Sequence, residues 1–226
     1  MRALLLAVLT VLWAGQGAAT CRQALALGLD VSGSVDAREY RLQIDGVAGA
    51  LEHPDVLAAL MAMPDAPVML AVYEWSGPLA QRVVQPWQAI NDPADVAEIA
   101  SRLRATQRAT MDQSTAIGAA KRFGASLLTE QTGCWRRVLD LSGDGESNTG
   151  PRPQTQRPDG TTINGLVISG SADADGIGAL GSYFRAYVIQ GPEAFVETAL
   201  GFDAFEAAMV RKLKRELQVL AVSSTQ

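Results

Sequence analysis

Leu29-Asp30-Val31-Ser32-Gly33-Ser34 decides how this chain is read. An apolar run from Ala24 to Leu29 ends in a carboxylate, and two hydroxyls follow at alternate positions. That order predicts a buried strand that delivers an acid and two serines to a loop at its carboxyl end. These side chains offer oxygen only. Without His or Cys among them they suit a hard divalent cation such as Mg²⁺, Mn²⁺ or Ca²⁺. Taken alone, the same letters also describe a strand end followed by a helix cap, with Ser34 or Asp36 capping the segment Ala37–Leu51.

Strand-like and helix-like patterns alternate outward from this stretch. Ala24–Asp30 reads as a strand, and Ala37–Leu51 follows with Tyr40, Ile44, Val47 and Leu51 at helical spacing. Val68–Trp75 is a second apolar run, closed by Ser76-Gly77-Pro78, and Arg82–Ile90 lies near enough to pair with it antiparallel. Asn91 or Asp92 can cap a helix that has Pro93 in its first turn and directs Val96, Ile99 and Leu103 inward. Thr115–Leu128 reads as a helix, Arg136–Ser142 as a strand ending in Gly143-Asp144-Gly145, and 146–160 as a polar loop. Thr162–Ser169 reads as the next strand and Tyr187–Gln190 as the last. A final helix starts near Asp203, with Phe205, Met209, Leu213, Leu217 and Leu220 on one face. The alternation predicts a three-layer, doubly wound α/β fold, its sheet mostly parallel with one antiparallel edge strand, as one domain over residues 20–226.

Open parallel sheets bind ligands beyond the carboxyl ends of their strands. Three segments could meet there: Asp30, Ser32 and Ser34 after the first strand, Thr115 in Ser114-Thr115-Ala116-Ile117-Gly118, and Asp144 after Val138–Ser142. Together they offer two carboxylates and three hydroxyls.

In this order, Asp30-x-Ser32-x-Ser34, Thr115-Ala-Ile-Gly and Leu141-Ser-Gly-Asp144-Gly resemble the metal-ion-dependent adhesion site of von Willebrand factor type A (VWA) domains. Nearly the whole chain after the first residues is similar to a bacterial subfamily of secreted VWA-like proteins of unknown function. That likeness is carried by Asp30–Val35, Glu39-Tyr40-Arg41-Leu42-Gln43, Glu74-Trp75-Ser76-Gly77, Ser142–Gly145, Ile163-Asn164-Gly165-Leu166, Gly191–Phe195 and Arg211-Lys212-Leu213. The resemblance implies direct ligation of Mg²⁺, or of Mn²⁺ or Ca²⁺, by the hydroxyls of Ser32, Ser34 and Thr115. Asp30 and Asp144 would supply charge, partly through bridging water. It also implies a coordination position left for a Glu or Asp carboxylate of a protein partner. Two positions depart from the pattern. An extra Gly143 stands where many type A domains read Thr-Asp-Gly, and Ser114 precedes Thr115 in place of Gly, which makes Ser114 an alternative ligand.

Met1-Arg2, the apolar run Ala3–Trp13 and the small residues Gly17-Ala18-Ala19 have the form of an export signal over residues 1–19, too short to span a bilayer as a helix. A retained anchor is the alternative, and Cys21 also raises a lipid attachment, although Ala18-Ala19-Thr20 lacks the apolar residue usual three places before such a cysteine. With no second spanning segment, the protein is expected in the periplasm or secreted, without stable membrane insertion. The 226 residues carry 19 basic and 24 acidic side chains, a net charge of −5 that makes a phosphate backbone a poor partner. An aromatic content of 6% weakens a base-stacking or carbohydrate platform as well. Cys21 and Cys134, the only cysteines, each precede a predicted parallel strand. In an exported chain they are expected to form one disulfide at the sheet end opposite the metal loop.

Weaker signals resolve toward structure. Gly176-Ile177-Gly178-Ala179-Leu180-Gly181 matches a dinucleotide fingerprint but follows the wrong strand, and reads as a Gly-rich loop with a short helix. Asp173-Ala-Asp175-Gly176 and Asp144-Gly-Glu146-Ser-Asn148 lack the remaining positions of a calcium loop and read as polar turns. Arg211, Lys212, Lys214 and Arg215 read as a solvated helix face, and Trp75 and Trp87 as packing residues. The single histidine, His53, stands beside Pro54 at a helix end, where it can build neither a His metal cluster nor a Ser-His-Asp triad. A metal-dependent hydrolase and a scaffold subunit of an envelope complex are the rival readings. The expected function is binding without catalysis.

Overall fold

The computed structural model describes residues 21–169 and 174–223, so the expected export signal lies outside the described residues. Six strands form one sheet: β1 (Cys21–Asp30), β2 (Val68–Trp75), β3 (Gln81–Ile90), β4 (Cys134–Gly143), β5 (Thr162–Ile168) and β6 (Val196–Ala199). Their order is β3-β2-β1-β4-β5-β6, with β3 antiparallel to β2 and every other pair parallel. β1 sits between β2 and β4 and is buried along its whole length, which suits the apolar run Ala24–Leu29 and also buries Arg22, Gln23 and Asp30 at its two ends.

Helices cover both faces. Leu25, Leu27 and Leu29 of β1 face a core built with α1 (Ala37–Glu52), α2 (Pro54–Met61), α3 (Pro93–Ala105) and α6 (Phe205–Ser223). Ala24 and Ala26 face the other core, where α4 (Ile117–Leu128) and α5 (Ala174–Tyr183) pack over Tyr73, Trp75, Leu139 and Leu141. The layers are those of a VWA-like α/β fold. Trp75 is buried and Trp87 donates its indole N–H to Leu127 O, so both pack as expected.

Cys21 and Cys134 stand opposite one another at the starts of β1 and β4 and form a disulfide. The sulfur that a lipid would need is therefore bonded to Cys134. The pair lies at the amino end of the parallel strands, opposite Asp30.

Three expectations are corrected. The Tyr187–Gln190 strand is not formed: Phe184–Val188 makes a π-helical turn, and Gln190 makes only an isolated bridge with Ile163. Phe184 and Val188 are buried four residues apart, a helical spacing hidden within an apolar run. The sixth strand is Val196–Ala199, a short edge segment without an apolar run to announce it. Second, the Gly-rich segment is helical throughout, inside α5, so it offers no phosphate-binding loop. Third, Lys212 is not on a solvated face. It is fully buried between Asp140 and Glu216, while Arg211 pairs with Glu197, Lys214 with Asp55, and Arg215 lies over the Phe195 ring.

Candidate metal centre

The competing cap reading is settled by Asp36. Its carboxylate accepts the Glu39 N–H at 2.8 Å, and the Glu39 carboxylate accepts the Asp36 N–H at 2.8 Å, a reciprocal capping box for α1. Ser34 is thereby left free of helix duty. Its hydroxyl donates to Asp144 Oδ1 at 2.8 Å. Ser32 and Ser34 Oγ atoms lie 3.3 Å apart, and Asp30 Oδ1 accepts the Ser32 N–H at 2.9 Å. Asp30, Ser32, Ser34 and Asp144 therefore form one connected group at the carboxyl ends of β1 and β4.

Thr115 is tied to the loop after β4 through Asn148, and among the described residues no hydrogen bond joins its hydroxyl to this group. The Asn148 side-chain oxygen accepts the Thr115 N–H at 3.0 Å, and the Asn148 backbone N–H donates to Thr115 O at 2.9 Å. The segment ahead of α4 is also pinned on its other side, where Gly33 N–H donates to Gln113 O and Ala116 N–H to Ser76 O. Gly118 admits this packing, since a Cβ there would stand 2.0 Å from Pro151 O. Ser114 is occupied elsewhere, because its hydroxyl and N–H both donate to Asp112 Oδ1.

The electrostatics of the group are those of two crowded carboxylates. Burial, then the nearby Asp144 charge, pushes the Asp30 carboxyl up to about 7 against the opposing hydrogen bonds from Ser32. Burial also raises Asp144, partly offset by Ser34. Asp30 Oδ2 is buried with no hydrogen-bond partner among the described residues. A Cβ at Gly143 would stand 3.3 Å from that oxygen, so the extra glycine leaves space at an unsatisfied acceptor. Among the described residues no group of three or more His, Cys, Asp or Glu side chains is arranged to hold a metal. The donor set here is two carboxylates with hydroxyls, which fits a hard cation and not a thiophilic one.

A family profile described as protein of unknown function, DUF1194, matches residues 20–221. The chain belongs to this family. No curated protein matches the sequence. Solved structures resemble the DUF1194 chain in fold. Proximal thread matrix protein 1 from the mussel byssus has 15% identity and a TM-score of 0.63, over 88% of this chain and 49% of that one. A further structure of the mussel protein, with 16% identity and a TM-score of 0.56, is described as having a zinc-occupied MIDAS motif. The pilus adhesin SpaC from Lactobacillus rhamnosus GG has 13% identity and a TM-score of 0.61, over 88% of this chain and 31% of that one. A von Willebrand factor type A protein from Catenulispora acidiphila has 12% identity and a TM-score of 0.56, over 87% and 42%. The DUF1194 chain thus spans less than half the length of each of these proteins.

Several residues that support the site escape a reading of motifs. Gln43, buried in α1, donates its amide to Asp30 O at 2.9 Å. Asn148 ties Thr115 to the loop after β4. Buried Glu74 accepts the Tyr40 hydroxyl at 2.6 Å and an Arg82 guanidinium N–H at 2.7 Å, which locks β2, β3 and α1 together beside the loop that carries Ser32 and Ser34. Gln43 and Glu74 do fall in segments shared with the secreted VWA-like subfamily, but their type alone assigns them no task.

Proposed function

We propose that this DUF1194 protein is an exported, divalent-cation-dependent protein-binding module. Ser32, Ser34 and Thr115 hold the cation with Asp30 and Asp144, and a carboxylate of a partner completes its shell. The observation that carries this reading is the unpartnered, buried Asp30 Oδ2 facing Gly143, beside the Ser32–Ser34–Asp144 chain of contacts. The bound cation, Mg²⁺ in preference to Mn²⁺ or Ca²⁺, would supply an electrophilic position for an anionic oxygen. The chain's own residues do the rest. Asp36 keeps Ser34 free by capping α1, Asn148 fixes Thr115, and Gln43 holds the Asp30 backbone.

Binding is favoured over hydrolysis by where the one histidine lies. His53 is the C-cap of α1 and the N-cap of α2, so the 16 residues of α1, about 24 Å of helix, separate it from Asp36 and the loop that carries Ser34. It lies toward the sheet end away from Asp30. The mussel protein with its occupied motif and the pilus adhesin support a recognition role by likeness of fold. The disulfide suits an oxidising compartment, and no described helix is long and apolar enough to cross a membrane. The test is capture of an envelope protein on immobilised wild type and Asp30→Ala, with Mg²⁺ or with chelator. One protein retained only by wild type with Mg²⁺ is expected. Equal retention by Asp30→Ala refutes the reading.

A further inference from the structure

Two grooves flank the candidate metal loop, and each carries an arginine without a carboxylate partner among the described residues. The first, of about 410 Å³, is bounded by Val31, Gly33 and Asp36 on the β1 side and by Arg108 and Gln113 on the other. The second, of about 310 Å³, is bounded by Asn148, Arg152, Tyr183 and Tyr187. Gly33 and Asn148 are among the residues that touch the segment carrying Thr115, so each groove adjoins the candidate metal loop, although none of its five candidate ligands lines either groove.

Six other arginines have ion-pair partners, Arg38, Arg41, Arg82, Arg102, Arg104 and Arg211, and of those without one Arg108 and Arg152 are the two that line these grooves. Arg108 instead lies 5.9 Å from the Tyr40 ring centre and reaches Val31 O and Ser32 O only at 3.5 and 3.4 Å. Those contacts are long and use one nitrogen, leaving the rest of the fork to the groove. The neighbouring acids are already committed, Asp36 to the α1 cap, Asp112 to Ser114 and Asp144 to Ser34. A guanidinium without a carboxylate partner on each side of the candidate metal loop is matched by carboxylates, which it can receive in bidentate fashion. Asp36 lines the first groove with Arg108, and the exposed Glu146 lies near the second, so the net attraction is local to the two guanidinium groups.

We infer that the partner presents an acidic peptide segment, with one carboxylate at the cation and neighbouring carboxylates received by Arg108 and Arg152. This rests on the metal reading above. The test is anisotropy of labelled poly-L-glutamate with Mg²⁺ at low salt, on wild type, Arg108→Gln, Arg152→Gln and the double variant. The Mg²⁺-induced rise in melting temperature of each is measured alongside. Each single substitution is expected to weaken poly-glutamate binding about fivefold while the Mg²⁺ response stays at the wild-type value. Wild-type affinity in the double variant overturns the proposal. So does a wild type that responds to Mg²⁺ but does not bind poly-glutamate, or one that binds dextran sulfate equally tightly. A wild type without any Mg²⁺ response fails the metal reading first and takes this proposal with it.

Discussion

The Ser34 hydroxyl donates to Asp144 Oδ1 at 2.8 Å, across 110 residues of chain. This contact joins the loop after β1 to the loop after β4, and it exists because Asp36 takes the capping role that Ser34 would otherwise fill. Ser34→Ala removes a hydroxyl from the candidate cation site and the hydrogen bond that restrains Asp144. Mn²⁺ affinity is expected to fall at least about tenfold, read by calorimetric titration. An unchanged affinity removes Ser34 from the site.

The raised Asp30 carboxyl gives the metal-free protein a pH dependence of definite sign. Asp30 holds its proton up to about 7 when folded but loses it near the ordinary carboxylate value when unfolded. Its contribution to stability is therefore fully present at low pH and is lost as pH rises through about 7, at up to about 1.4 kcal/mol per pH unit. Asp30→Asn should remove that slope, so that the metal-free variant becomes the more stable protein at pH above about 7. Chemical denaturation of both proteins across this range checks it, and parallel curves would count against a buried, strained Asp30.

Mg²⁺ should stabilise wild type more as pH rises, because it needs the Asp30 carboxylate that acid protonates. The shift in melting temperature at saturating Mg²⁺ is expected to be small at pH 5 and largest above pH 7. A shift independent of pH would mean that the cation binds without Asp30.

The Cys21–Cys134 disulfide closes a separation of 113 residues at the end of the sheet away from the candidate metal loop. Replacing both cysteines by serine is expected to cost about 2–5 kcal/mol of stability. The Mg²⁺ response of the remaining folded protein should be unchanged. Loss of that response without loss of stability would show that the two ends of the sheet are coupled.

Lys212 is buried against two carboxylates, Asp140 on β4 and Glu216 one turn further along α6, and Glu216 also accepts the Asn164 amide at 2.6 Å. Burial first, and then Glu216, holds the Asp140 carboxyl well above its usual range. Lys212→Met leaves both acids without their cation, and about 3–5 kcal/mol of destabilisation is expected by urea titration. A loss below about 1 kcal/mol would show that the Asp140 carboxyl is neutral in the folded protein without help from Lys212.

The sheet was legible because its central strands carry their burial in their sequence. Ala24–Leu29 and Val68–Tyr73 are continuous apolar runs, and Pro93 after Asp92 marks a helix start. β6 was not legible, since an edge strand needs only Ala199 inside and has no pattern to show. α2 was missed for a related reason: eight residues with only Val56 and Leu60 buried are too few for a period. The α6 lysine was misread because burial of a charge depends on acids that arrive from β4 and from the next helical turn. At the site, Asp30, Ser32, Ser34, Thr115 and Asp144 are visible as letters. Gln43, Asn148 and the two open arginines acquire meaning only from what folding sets beside them.

Calorimetric titration of Mn²⁺ or Mg²⁺ into metal-free protein at pH 8, wild type against Asp30→Ala, tests the metal centre most directly. One binding site per chain in wild type, absent from a folded Asp30→Ala, is the predicted result. Equal binding in the two proteins, or no binding in wild type, would contradict it.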